Sequence, residues 1–206
     1  MEAQVYIIDD DASVRRGLAR LVREGGHAVE SFASGEDFLE MLPAAFTRPT
    51  CALVDLQMPG LGGLELQERL KSVPNPCSIV FMSGNGSIPA TVQAMKGGAV
   101  TFLTKPIHDE DLLGAIDEGL AAHRRLLTDS TQTGEIHRRI ASLTDRERET
   151  MGWVITGALN KQIAGELELA ERTVKFHRAN VMEKMGVASV ADLVRLCDAV
   201  GFVRGG

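Results

Sequence analysis

The chain has 206 residues, enough for one large domain or two small ones. Hydrophobic residues make up 44% and charged residues 24%, a balance that fits an ordinary globular protein and excludes a disordered or fibrous class. No apolar run approaches the roughly 20 residues that span a bilayer, so no membrane partner is expected.

The N-terminus lacks a basic segment leading into an apolar one, so no export signal is expected. Cys51, Cys77 and Cys197 are odd in number and scattered, which suits a reducing cytosol better than a disulfide framework or a zinc site. Net charge is −6, which looks wrong for a nucleic-acid binder, but the average hides an asymmetry. Residues 1–124 carry 10 Lys+Arg against 17 Asp+Glu, net −7, and residues 125–206 carry 12 against 11, net +1. Two modules with different partners are implied, and only the second could favour phosphates.

In chain order, Val5-Tyr6-Ile7-Ile8 is a short apolar strand ending in Asp9-Asp10-Asp11. A helix follows, with Leu18, Leu21 and Val22 at helical spacing, Asp11 or Ser13 as its cap and Gly25-Gly26 as its stop. Residues 29–32 alternate like a strand, and 35–42 form a helix ended by Pro43. The central strand, 52–55, ends in Asp55 before the turn signal Met58-Pro59-Gly60. A helix over 61–70, a buried strand over 78–83, a helix over 88–95, a strand over 100–105 and a helix from 109 to about 125 complete the module.

Strands alternating with helices five times predict an α/β doubly wound (βα)5 fold with a parallel five-stranded sheet covered on both faces. Ligands of such sheets sit beyond the carboxyl ends of the strands. Four strands end there in polar groups: Asp9 and Asp10, Asp55, Ser83, and Lys105. Clustered carboxylates raise one another's pKa unless a cation joins them, and magnesium (or manganese) suits hard oxygen ligands. Asp55 can then serve as the nucleophile that accepts a phosphoryl group. Lys105 and the metal would neutralise the transferring group, and Ser83 would donate a hydrogen bond to it.

These residues make the first 120 or so positions resemble a response-regulator receiver domain of the CheY-like fold. The acidic pair Asp9 and Asp10, the acceptor Asp55 with Met58-Pro59-Gly60 after it, the hydroxyl of Ser83 and the pair Lys105-Pro106 carry the resemblance. It implies that Asp9, Asp10, Asp55 and the backbone carbonyl of Gln57 hold the metal. It further implies a cis Lys105-Pro106 bond, a switch aromatic at Phe102, and an acyl-phosphate lifetime tuned by Gln57 and Asn85. Singly, each residue has a plainer reading: a turn, a helix cap, a loop hydroxyl, a core ring. Their joint occurrence in order is what argues for the receiver.

Residues 128–134 are polar and turn-prone, so 125–141 reads as a linker, at least partly helical. Arg138-Arg139 reads as a solvated face. Beyond it, 142–206 reads as an all-α four-helix module. Thr144 and Glu147 form a capping box, and Gly157 ends the first helix. The second helix runs over 160–167, the third over 171–185 and the fourth over 189–200. Two short helices with a tight turn, the latter basic, read as helix-turn-helix. Lys175, Phe176 and Arg178 are expected to face base edges, and Lys161 and Thr173 phosphates.

The runs Leu143-Thr-x-Arg-Glu, Asn160-Lys161-x-Ile163-Ala164 and Thr173-Val174-Lys175-x-His177 make this half similar to a LuxR-type output domain. That resemblance adds His177 to the candidate DNA-binding residues. With the receiver, the chain resembles a NarL/FixJ-type regulator of the FixJ–StyR branch. The implied partners are a sensor histidine kinase, double-stranded promoter DNA, RNA polymerase and, on phosphorylation, a second copy of the chain. Ala170 stands where the family usually has Ser before the recognition helix, a lost cap of about 1 kcal/mol unless Glu171 or Thr173 substitutes. Phe176 is bulkier than the usual Val. Two other functions would place different demands on these residues. A haloacid-dehalogenase-type phosphatase would need a second Asp at position 57, where this chain has Gln57. A regulator that uses its receiver only to dimerise would have no need of the intact acidic pair, Ser83 and Lys105.

Overall fold

The computed structural model describes residues 3–84 and 87–204. They divide into two compact units, Met1–Thr128 and Asp129–Gly206.

In the first unit, β1 (Gln4–Ile8), β2 (Ala28–Phe32), β3 (Thr50–Asp55), β4 (Ser78–Ser83) and β5 (Thr101–Thr104) form one sheet in the order β2-β1-β3-β4-β5. Every neighbouring pair is parallel. Helices α1 (Ala12–Glu24), α2 (Gly35–Glu40), α3 (Gly63–Leu70), α4 (Ile88–Lys96) and α5 (Asp109–Ala141) alternate with the strands. All six residues of β3 are buried, as a strand covered on both faces requires. Side chains alternate between two cores. Val54, Phe81, Phe38 and Leu66 fill one, and Leu53, Val80, Leu112 and Ile116 the other. The strand order reverses beside β1, so the carboxyl ends of β1 and β3 lie side by side at the switch point.

Local chemistry sets the boundaries. The Asp11 side chain caps α1 by accepting from the N–H groups of Ser13 and Val14. Ser34 and Ser87 cap α2 and α4 in the same way. Helix α2 stops at Glu40, two residues short of the predicted end, and α3 starts two residues later than predicted, behind Gly62. Strand β5 ends at Thr104, so Lys105 sits just past it.

The turn-prone segment 128–134 is helical, and α5 is a single helix from Asp109 to Ala141. The stretch contains no proline, and one glycine, Gly134, costs a helix only about 1 kcal/mol. Burial of Ile136 and Ile140 in the second unit's core outweighs that cost.

The second unit comprises the end of α5 with α6 (Asp145–Val154), α7 (Asn160–Glu166), α8 (Glu171–Met185) and α9 (Val190–Ala199). Met151, Ile163, Val174, Val181, Met185 and Leu193 are fully buried between them. The Thr144–Glu147 capping box forms in both directions. The Glu147 carboxylate also takes a 2.6 Å ion pair from Lys184, tying α6 to α8. That bond, with the Thr144 N–H, holds the Glu147 pKa down at about 2. Gly186, at φ 66°, ends α8 in the left-handed conformation that glycine adopts without strain. The predicted solvated face at Arg138-Arg139 holds for Arg138 and fails for Arg139. Arg139 Nη1 donates to the Met185 carbonyl at 2.8 Å, closing the carboxyl end of α8. Ala170 precedes α8 as its N-cap and offers no side-chain hydrogen bond.

Candidate functional site

Three elements meet at the switch point. Asp9 follows β1, Asp55 ends β3 and Lys105 follows β5. Lys105 Nζ lies 2.6 Å from Asp9 Oδ2 and 3.2 Å from Asp55 Oδ1. The structure thus brings together groups separated by 96 and 50 positions in sequence. The Lys105–Pro106 peptide is cis, and the Lys105 N–H donates to the Ser83 carbonyl at 2.8 Å, fixing where the lysine departs from β5.

Asp9 is fully buried, Asp55 is 7% exposed and Asp10 is exposed. One carboxylate oxygen from each lies within 4.8 Å of the other two. Burial raises the Asp55 pKa, and the neighbouring charges of Asp9 and Asp10 push the same way against Lys105. Burial works to lower the Lys105 pKa, but its bond to Asp9 and the two carboxylate charges outweigh this and leave it raised. The site is therefore an acidic pocket with one lysine against three carboxylates, the donor set that a hard divalent cation takes.

Ser83 is buried at the end of β4, beside Thr104 in the register. Gln57 is exposed on the loop leaving β3, and Phe102 is half-buried on β5 against the core that holds Phe81. Asn85 lies outside the described residues.

Two supports were not foreseen from sequence. Arg15 Nη1 donates to the Asp9 carbonyl at 2.6 Å. Glu36 Oε1 accepts from the Leu61 N–H at 2.8 Å, anchoring the loop that follows Met58-Pro59-Gly60. A charge on α1 or α2 carries no local signal that its partner is a distant loop.

In the second unit, α7 and α8 form the helix-turn-helix. Lys161, Lys175 and Phe176 are exposed, and Thr173 is half-buried. Arg178 is half-buried and its Nη1 donates to Asn160 Oδ1 at 3.1 Å, bracing α8 against α7. His177 is half-buried, and its Nδ1 is enclosed without a hydrogen-bond partner among the described residues.

A parallel sheet with a lysine-bridged acidic pocket, together with a helix-turn-helix unit, defines a two-component transcription regulator. Residues 5–117 match the response regulator receiver domain, and residues 141–197 match the bacterial regulatory proteins of the luxR family. The chain is 41% identical to the response regulator protein TodT of Pseudomonas putida over 94% of its length and 85% of that protein's. It is 39% identical to the transcriptional regulatory protein FixJ of Bradyrhizobium diazoefficiens over 98% of both chains. The solved structure of the response regulator StyR superposes with a TM-score of 0.84 at 42% identity, covering 96% of this chain and 99% of that one.

The chain belongs to the response-regulator family, in the branch that joins a receiver to a LuxR-type DNA-binding domain. It is a DNA-binding transcriptional regulator, and its receiver implies a sensor kinase as partner. Among the described residues no helix is long and apolar enough to cross a membrane.

Proposed function

We propose that phosphorylation of Asp55 switches this regulator between weak and strong promoter binding. The observation that carries the reading is Lys105 Nζ spanning Asp9 and Asp55 at 2.6 and 3.2 Å. A carboxylate oxygen of Asp55 attacks the phosphorus of a kinase phosphohistidine. The new O–P bond forms as the N–P bond breaks, and the imidazole leaves.

Asp9, Asp10, Asp55 and the Gln57 carbonyl would hold magnesium or manganese. When bound, the ion supplies positive charge to the transferring oxygens. Lys105 moves from the carboxylates to a phosphoryl oxygen, Ser83 donates a hydrogen bond to another, and Phe102 packs inward behind it. No turnover of a separate substrate accompanies this step, because position 57 offers Gln rather than a general acid.

Residues 1–124 act as the phosphoacceptor domain, 125–141 as the connecting segment and 142–206 as the DNA-binding domain. Ile88, Val92 and Met95 are exposed along α4, an apolar stripe that a second phosphorylated copy would cover. A dimer sets two recognition helices on two half-sites. Lys175, Phe176, His177 and Arg178 then approach bases, Lys161 and Thr173 approach phosphates, and the bond from Arg178 to Asn160 holds α8 against α7. RNA polymerase at the promoter is the downstream partner, and the cytoplasm is the compartment.

Incubation with a small phosphodonor and magnesium tests the reading by intact mass. The wild type gains one phosphoryl group and Asp55→Asn gains none; uptake persisting in the variant refutes the assignment. Lys175→Ala weakens operator binding and lowers the salt slope by about one ion.

A further inference from the structure

The recognition helix carries an exposed aromatic residue that its own unit does not use. Phe176 is 63% exposed, whereas Val174, Val181 and Met185 of the same helix are fully buried. It stands outside the second unit's core cluster. Its ring is held in a T-shaped contact with the half-buried His177, centroids 5.8 Å apart. Arg172 stands one helical turn before the ring and Lys175 beside it, both exposed, so cations flank Phe176 in a way that suits a polyanion better than an apolar protein surface.

A phenyl ring has neither donor nor acceptor. It cannot read the hydrogen-bonding pattern of a base edge, and the apolar feature the major groove offers is the C5-methyl of thymine. We infer that Phe176 recognises a thymine methyl group in each half-site, so that this position of α8 selects sequence by apolar contact. The inference rests on the reading of α8 as the helix that enters the groove. His177 acts as a positioning residue that limits the ring's rotamers before DNA arrives.

The test uses the full chain treated with a small phosphodonor. A binding site is first selected from random-sequence duplexes. Each thymine of the half-site is then replaced by deoxyuridine, which removes the methyl and nothing else. Wild-type protein should lose about fourfold in affinity per half-site at one position, the worth of one buried methyl. Phe176→Ala should bind the thymine site more weakly and show the same affinity for the thymine and deoxyuridine versions. Phe176→Leu should retain most of the methyl preference. Because the ring is exposed, thermal unfolding should be unchanged in both variants.

Two results overturn the inference while leaving DNA binding intact: no thymine position sensitive to its methyl, or Phe176→Ala retaining the wild-type ratio between the two sites. If no sequence is enriched at all, the reading of α8 as a groove-binding helix falls, and this inference falls with it.

Discussion

Asp55→Asn should make the first unit more stable in metal-free buffer at neutral pH, even though it weakens an ion pair. At an effective dielectric near 20, Lys105 at 3.2 Å attracts the Asp55 carboxylate by about 5 kcal/mol. Asp9 and Asp10, with oxygens within 4.8 Å, each repel it by about 3.5 kcal/mol, roughly 7 together. Lys105 is also shared with Asp9, and burial of Asp55 adds a desolvation cost. Exposure of Asp10 screens part of the repulsion. The balance runs against the ionised side chain, in keeping with its raised pKa.

A carboxyl with a raised folded-state pKa contributes stability at low pH and loses it as pH rises through that value. The neutral, near-isosteric amide removes the burden, so we expect a gain of about 1–2 kcal/mol. Hydrogen exchange in peptides covering β3 and β4, followed across a urea series with chelator present, measures it. Magnesium should narrow the gap, since an ion at ten times its Kd stabilises the wild type by about 1.4 kcal/mol. A variant less stable than wild type without metal would refute the charge balance drawn here.

Further outcomes follow from contacts elsewhere. Arg139→Ala removes the bond to the Met185 carbonyl and should destabilise the second unit by about 1–2 kcal/mol. Urea unfolding read by Trp153, the sole tryptophan, reports it, and an unmoved midpoint would return Arg139 to a solvated role. Glu147 is held near pKa 2, so its contribution is present above about 4.5 and lost as pH falls toward 2. Lys184→Met should therefore move the acid transition of Trp153 emission to higher pH, and an identical transition would count against the pair.

His123 lies buried in α5, its Nδ1 accepting from the Thr50 N–H at 2.8 Å and its Nε2 facing the Asn75 carbonyl at 3.1 Å. Burial lowers its pKa, so stability present above about 6.5 declines as pH falls through the folded value. His123→Phe strands the Thr50 N–H, costs about 1–3 kcal/mol, and should abolish that pH dependence in the first unit's hydrogen exchange.

Much of the fold is legible in short windows. Apolar runs of four to six residues closed by polar or turn residues suffice to place the strands. Asp11, Ser34, Ser87 and Thr144 mark helix starts by a local bond between a side chain and the next few N–H groups. The chemistry of the acidic pocket is also readable, because its members stand at strand ends and a parallel sheet gathers such ends on one side. Whether the segment 128–134 hinges or continues a helix stays open in the sequence, because its polar composition resembles a loop. Only the burial of Ile136 and Ile140 two turns on reveals a helix.

By itself, then, the amino-acid order determines element types, their alternation and which functional groups stand at strand termini. These depend on neighbours a few residues apart. Tertiary structure alone decides that Lys105 bridges Asp9 and Asp55, that Arg139 closes α8 and that Arg178 meets Asn160. Those partners lie 18 to 96 positions apart. No local propensity reaches across such separations, and only the packed sheet and helices set the distances at which charges and hydrogen-bonding groups meet.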